Sequence, residues 1–298
     1  MGTTGIDIAD LSFSYPEYPG LPARPLLSGV ELSVAEGGIA LVLGASDEGK
    51  TSLARILGAL VPRFTGGTLA GSVRCGGADV LRSPPYDLLG RVGLVFQHPD
   101  EQIIGTRCDA EVAFALESLG TAAPAMERRV RDSLALLGLS GFEARNPATL
   151  SGGEKKRLLL ACLEASDPAV WVLDEALEEL DPVWRRSVLD RLRAGGKTAL
   201  VLDSRWAPVF DGRTDRRAVL SGGSVRGLTD DPGSPTLRDA MDAAGILPPS
   251  GRLPAPGLPS SGLAAAAPAG GPGWLGSAAG GLLSDGGAGW LGSPPAGF

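Results

Sequence analysis

The chain holds a single histidine, His98, and three cysteines, Cys75, Cys108 and Cys162, set far apart. One histidine excludes a multi-histidine metal centre and argues against a histidine-based nucleophilic triad. Scattered cysteines with no CxxC pair exclude a disulfide scaffold and a zinc ribbon, and they fit a reducing compartment. Lysine is scarce: only four of the 27 basic residues are lysines, so each is worth inspecting. Acids outnumber bases to give a net charge of −7, which argues against binding nucleic acid through bulk electrostatics. No run of about 18 apolar residues occurs, so no transmembrane helix is expected. The first residues show no basic stretch leading into an apolar run, so no secretory signal is expected. With 298 residues, 43% of them hydrophobic, the chain has material for one large core or two small ones.

Composition divides the chain. From Ile246 to Phe298 only Arg252 and Asp285 carry charge, and 23 of the 53 residues are Gly or Pro. Such a segment cannot sustain helix or sheet and is expected to be disordered. It repeats Gly-Trp-Leu-Gly-Ser at Gly273–Ser277 and Gly289–Ser293, which reads as a low-complexity extension sooner than as a pair of docking motifs. Upstream, Ile6–Tyr15 alternates like a strand. Val30–Val34 and Ile39–Leu43 are strands split by the turn Ala35–Gly38, and Arg91–Phe96 is a further apolar strand. Ala169–Leu173 and Thr198–Leu202 are short, wholly apolar runs of the kind that fills a buried parallel sheet. Helices are expected at Lys50–Leu60, Ala110–Leu119, Ala125–Leu137, Gly152–Ala165 and Pro182–Arg193. Alternating strands and helices give an α/β fold with a largely parallel sheet.

Gly44-Ala45-Ser46-Asp47-Glu48-Gly49-Lys50-Thr51 satisfies G-x-x-x-x-G-K-[ST] between an apolar strand and a helix. This is a phosphate-binding P-loop. Glycines let backbone N–H groups wrap phosphate oxygens, and the helix N-terminus adds positive potential. Lys50 neutralises the β- and γ-phosphates, and the Thr51 hydroxyl suits Mg²⁺. Asp47 and Glu48 place two carboxylates in a loop meant for a polyanion. Pointing outward they cost little, and pointing inward they weaken affinity. Further on, Leu150-Ser151-Gly152-Gly153-Glu154 opens a helix and forms a second anion-binding N-terminus. The apolar strand ending in Asp174-Glu175 offers one acid for Mg²⁺ and one to polarise a water.

In this order and spacing, the motifs resemble those of the nucleotide-binding subunit of an ABC transporter, over residues 4 to 228. The resemblance implies a P-loop ABC nucleotide-binding domain: a mainly parallel core sheet, an antiparallel β subdomain and a helical signature subdomain. Residues 229–245 would form a C-terminal helical extension and 246–298 the tail. Leu180-Asp181-Pro182 matches the family's D-loop, and Gln97 its Q-loop glutamine. Tyr15 falls where the family stacks an aromatic ring on adenine. Ser52 follows in the nucleotide-binding segment. Phe96–Ile103, Asp109–Phe114 and Leu11–Pro16 narrow the likeness to energy-coupling-factor and cobalt-importer ATPases. The implied cofactors are ATP and Mg²⁺, the metal held by Thr51, Gln97 and Asp174. Glu175 would orient or deprotonate the attacking water. Leu150–Glu154, through Ser151 and Gly153, would contact the γ-phosphate bound by a second ATPase subunit. The implied partners are that subunit, a transmembrane coupling subunit docked near the Q-loop, and a separate substrate-binding membrane subunit. The implied location is peripheral, on the cytoplasmic face of the membrane. Neither the guanine-reading Asn-Lys-x-Asp motif of a GTPase nor the tandem domains of soluble ABC proteins occur in the sequence.

One position departs from this pattern. The family ends the strand after the D-loop helix with a histidine that contacts the γ-phosphate, and spacing from Lys197-Thr198 puts Ser204 there. Serine cannot carry the charge, so the chain's own ATP site is expected to hydrolyse slowly, by about 10²–10³ in rate. The signature is complete. A heterodimer with a fully equipped partner is therefore favoured over a homodimer, and an essentially non-hydrolysing subunit is the alternative reading.

Overall fold

Three short strands, β3 (Ile39–Leu43), β7 (Val170–Asp174) and β8 (Thr198–Asp203), are buried along their whole length. They pair in parallel at the centre of a six-stranded sheet. Their side chains alternate between two cores, as the two-residue period of a strand requires. Leu41, Leu43, Trp171, Leu173, Ala199 and Val201 enter one core with residues of the helices on that face. Ala40, Val42, Val170, Val172, Leu200 and Leu202 enter the other. A sheet buried on both faces explains why these segments read as unbroken apolar runs.

The structure, a computed structural model, describes residues 4–17, 25–231 and 233–246. The elements run β1 (Thr4–Ser14), β2 (Leu27–Ala35), β3, α1 (Lys50–Leu57), β4 (Thr68–Cys75), β5 (Ala78–Asp79), β6 (Val92–Val95), α2 (Cys108–Ser118), α3 (Ala123–Leu136), α4 (Gly152–Ser166), β7, α5 (Pro182–Ala194), β8, β9 (Arg216–Ser221), β10 (Ser224–Thr229) and α6 (Pro235–Ala243). The large sheet has the order β10-β9-β3-β8-β7-β6. All its pairings are parallel except β9 with β10. A second, antiparallel sheet has the order β2-β1-β4-β5, and its apolar side packs into the core that also holds Leu53, Ile56 and Leu57 of α1. Helices α2, α3 and α4 bury their apolar faces in the other core.

Several boundaries differ from those expected. Helix α1 stops at Leu57 instead of Leu60, because Gly58 caps it and Ala59 turns left-handed at φ 56°. Strand β2 starts at Leu27, three residues before Val30, and pairs with β1 as far as Leu27↔Phe13. Helix α6 lies within 229–245, where a helical extension is expected. Its apolar residues Leu237 and Met241, with Ile246 after it, are buried in the main core. The segment 247–298, the greater part of the expected disordered tail, lies outside the described residues.

Candidate functional site

The loop after β3 is shaped by its neighbours. Gly44 N–H donates to Asp203 O at 3.1 Å, extending the sheet ladder by one step. A side chain at Gly44 would meet Leu220 O at 2.9 Å. Gly49, at φ 99°, turns the chain into α1 from a conformation that costs other residues energy. Lys50 then opens the helix with its side chain folded back over the loop. Its Nζ donates to Gly44 O at 2.7 Å and to Ala45 O at 2.8 Å, and pairs with Glu175 Oε1 at 3.1 Å. The second Glu175 oxygen accepts from Gln97 Nε2 at 2.7 Å. Gln97 stands just past β6, on a loop braced by Gln102. The Gln102 side chain accepts from Phe96 N at 2.7 Å and donates to Leu94 O at 3.2 Å.

These groups open onto a cavity of about 390 Å³. Ser46, Asp47, Gly49, Lys50, Thr51 and Ser52 line it from the loop and α1, Tyr15 and Leu26 from beside the antiparallel sheet, and Gln97 and Glu175 from the far side. Tyr15 Oη shares a hydrogen bond with Ser52 Oγ at 2.9 Å, and its ring meets Phe13 edge-on, 4.8 Å between centroids. Its ring is thereby held at the cavity edge while remaining 36% exposed. The two loop acids part ways. Glu48 Oε2 accepts from Gly222 N at 2.7 Å, turning away onto the β9–β10 turn. Asp47 lines the cavity at φ 66°.

Asp174, the last residue of β7, is fully buried and shares the Val170 and Val172 face of the sheet, the one covered by α1. Neither of its carboxylate oxygens has a hydrogen-bond partner of normal geometry. Burial raises its pKa, and the nearby Thr51 hydroxyl pulls in the opposite direction. A buried carboxylate with two open oxygens beside a hydroxyl fits a divalent cation, since Mg²⁺ takes one or two carboxylates and completes its shell with phosphate and water. Among the described residues no group of three or more His, Cys, Asp or Glu side chains could hold a metal without such help.

The signature segment does not reach this cavity. Ser151 caps α4 in a reciprocal box: Glu154 N donates to Ser151 Oγ at 3.4 Å, and Ser151 N donates to Glu154 Oε2 at 2.8 Å. These contacts hold the Glu154 carboxyl below its ordinary range. Leu150 is buried under the turn, while Ser151 and Gly152 are exposed. A side chain at Gly152 would meet Glu179 Oε2, the movable end of an exposed side chain. Asp181 caps α5, accepting from Val183 N at 2.9 Å and Trp184 N at 3.0 Å.

Ser204 follows β8 and is half-buried, but it does not line the cavity. The preceding Asp203 points into the opposite core, alternating with Leu202. It accepts from Arg205 N at 3.0 Å through Oδ1 and leaves Oδ2 without a partner. Burial pushes its pKa up to about 6. His98, exposed beside Gln97, does not line the cavity. Three residues here were not singled out from the sequence. Leu26 belongs to no motif and left no signal. Asp203 shows itself as an acid on an apolar strand. Lys156 is fully buried, yet it stands at i, i+3, i+4, i+7 spacing with Leu159, Leu160 and Leu163, so helical periodicity alone would have placed it on the buried face.

Comparison with known proteins gives the family. The ABC transporter family matches residues 27–178. An energy-coupling factor transporter ATP-binding protein EcfA of Syntrophomonas wolfei is 34% identical over 82% of this chain and 87% of its own. A putative ABC transporter ATP-binding protein of Methanosarcina acetivorans is 32% identical over 75% of this chain and 35% of its own. One from Streptomyces avermitilis is 36% identical over 76% and 40%. The chain therefore spans well under half the length of several relatives it matches. The solved cbiO1 of Clostridium perfringens, described as part of the ABC transporter complex cbiONQ, superposes with a TM-score of 0.63 at 20% identity, over 76% of this chain and 89% of that one. The chain belongs to the ABC transporter family and has the α/β ABC ATPase fold.

Proposed function

We propose that the chain is the ATP-hydrolysing subunit of an importer of the energy-coupling-factor type, serving cobalt, nickel or vitamin uptake. The carrying observation is one cavity in which the P-loop, Gln97 and Glu175 meet while the signature segment stays outside it. ATP would lie with its phosphates on the Gly44–Ser52 loop and its base against Tyr15. Lys50, now paired with Glu175, would turn to the β- and γ-phosphates. Thr51, Asp174 and Gln97 would hold Mg²⁺, which neutralises phosphate charge when bound. Glu175, released from Lys50 and oriented by Gln97, would take a proton from the attacking water. The cap Ser151–Gly153, exposed at Ser151 and Gly152, would complete the nucleotide site of a second ATPase subunit, and Asp181 would stand at that junction.

The chain's own site is weakened. Ser204 replaces the family's histidine with a shorter, uncharged side chain that lies outside the cavity lining, and Asp47 adds negative charge to that lining. This supports pairing with a different, fully equipped ATPase; a peripheral location on the cytoplasmic face of the membrane goes with the importer reading. Among the described residues no helix is long and apolar enough to cross a membrane. The coupling subunit would dock near the Gln97 loop. A groove of about 590 Å³ between α2 and α3 offers a further surface, lined by Ala110, Ala113, Met126 and Val130, with Glu117, Glu127 and Glu143 beside Arg131 and with Asp109 paired to Arg107. The substrate would be bound by a separate membrane subunit and would not touch this chain.

Mg-ATP turnover by the full chain tests the reading, with Lys50→Ala as the dead control and Ser204→His as the repaired site. We expect wild type near the control and a rise of about 10²-fold in Ser204→His. Wild type already turning over fast would overturn the weakened site. Both staying at the control level would favour an essentially non-hydrolysing subunit that completes a partner's site.

A further inference from the structure

The Lys156 side chain is 0% exposed, and among the described residues its ammonium meets only backbone carbonyls at hydrogen-bond distance. Nζ donates to Phe96 O at 3.1 Å, to Gln97 O, and to Glu175 O at 3.5 Å. An ammonium has three donors, and all three are used. The acceptors belong to two loops that are far apart in sequence and meet at the cavity. Their side chains meet as well, through Gln97 Nε2 to Glu175 Oε2. The contacts therefore close a ring: Lys156 to the Gln97 backbone, Gln97 side chain to Glu175 side chain, Glu175 backbone to Lys156.

Glu175 sits at φ 49°, a conformation a non-glycine residue keeps only when its surroundings hold it there. Its N–H is taken by Leu202 O at 2.9 Å, and its carbonyl is shared between Glu178 N at 3.3 Å and Lys156 Nζ at 3.5 Å. The third member of the ring is α4 itself, whose exposed cap Ser151 lies five residues before Lys156. The adjacent Lys155 adds a second tie from the same helix to the Gln97 loop, pairing with Asp100 at 2.6 Å.

We propose that Lys156 is a positioning residue: its buried ammonium sets the backbone of Gln97 and Glu175 and links both loops to the helix that presents the signature. Occupancy of the chain's own ATP site is thereby communicated to the surface offered to the second subunit. This rests on the nucleotide reading of the cavity.

Hydrogen exchange of the full chain, with and without Mg-ATP, tests it in Lys156→Met and Lys156→Gln. Met keeps the length and loses the donors, whereas Gln loses the charge and keeps two N–H donors. Without nucleotide, Lys156→Met should speed exchange at 97–104 and 175–180 by at least about tenfold while the rest of the sheet stays protected. ATP affinity should stay within about threefold of wild type. ATP should slow exchange at 150–155 in wild type and leave it unchanged in Lys156→Met, with Lys156→Gln between the two. Unchanged exchange at both loops, or a uniform rise over the whole chain, would overturn the positioning role. Gln behaving like Met would overturn the donor role and leave charge compensation. Should Lys156→Met fail to fold, Lys156→Gln against wild type carries the same comparison. A wild-type chain that binds no ATP would overturn the nucleotide reading instead, and the nucleotide-free comparison would still decide the role of Lys156 in setting the loops.

Discussion

Asp47 combines two liabilities: a left-handed backbone at φ 66° and a carboxylate lining a cavity built for phosphate. The left-handed position costs about 1–2 kcal/mol for most side chains, and aspartate bears it better than most. Glycine would remove that strain and the charge at once, but it adds freedom to the unfolded chain. Asp47→Gly should therefore leave stability within about 1 kcal/mol and tighten ATP binding by about fivefold, a Coulomb effect on the order of 1 kcal/mol at an exposed site. Titration calorimetry with and without the substitution measures this, and an unchanged Kd would mean that solvent already screens the carboxylate.

Asp203 carries a different cost. Its pKa rises from an ordinary 3.8 to about 6 in the folded state, chiefly through burial. Between those values the folded chain holds more proton than the unfolded one, so stability falls as pH rises through the window and stays lower above it. The loss is on the order of 3 kcal/mol at neutral pH. Asp203→Asn keeps an oxygen for Arg205 N and removes the charge. Its melting temperature should exceed wild type by several degrees near pH 8, with the difference fading as pH falls to about 4. A difference independent of pH would assign the effect to packing.

Helix α5 begins on Asp181, whose carboxylate satisfies the two backbone N–H groups just after Pro182, those of Val183 and Trp184. Asp181→Ala should cost about 1 kcal/mol by urea unfolding, as loss of an N-cap does. A loss well above that would mean that Asp181 also braces the segment before it. The elements that could be read from sequence share a property with α5: their signals are local. Strands β3, β7 and β8 are apolar at every position because helices and a second sheet cover both faces, and the P-loop announces itself by glycine spacing. Strands β4 and β10 left no such trace. Most of β4 is exposed around Gly71, and β10 is half-buried except at the exposed Arg226, with Gly227 inside it, so neither shows the alternation that reveals a strand. The site divides the same way. Lys50, Thr51, Gln97, Asp174 and Glu175 stand in motifs. Leu26 and Lys156 reach the same chemistry through tertiary contacts that only the folded chain creates.

On the proposed reading the chain would carry both halves of an ATP site without bringing them together: the P-loop cavity contains no signature residue, and the cap at Ser151 faces solvent. If the γ-phosphate is anchored by both halves at once, as we propose, a second subunit would have to supply the missing one. Complementation between damaged chains tests this directly. One chain carries Ser204→His with Ser151→Arg, a repaired cavity with a spoiled cap. The other carries Lys50→Ala, a spoiled cavity with an intact cap. Each alone should be silent in Mg-ATP turnover. Mixed in equal amounts, they should give about a quarter of the Ser204→His rate, because random pairing makes half the dimers mixed and each of those holds one whole site. If Ser204→His alone turns over and the mixture stays silent, the cap does not act across subunits and the cavity must be completed from within its own chain. If the mixture is active, the exposed end of α4 is where one subunit's chemistry depends on the other, and a partner with its own histidine would gain from this chain's cap whatever this chain's own rate.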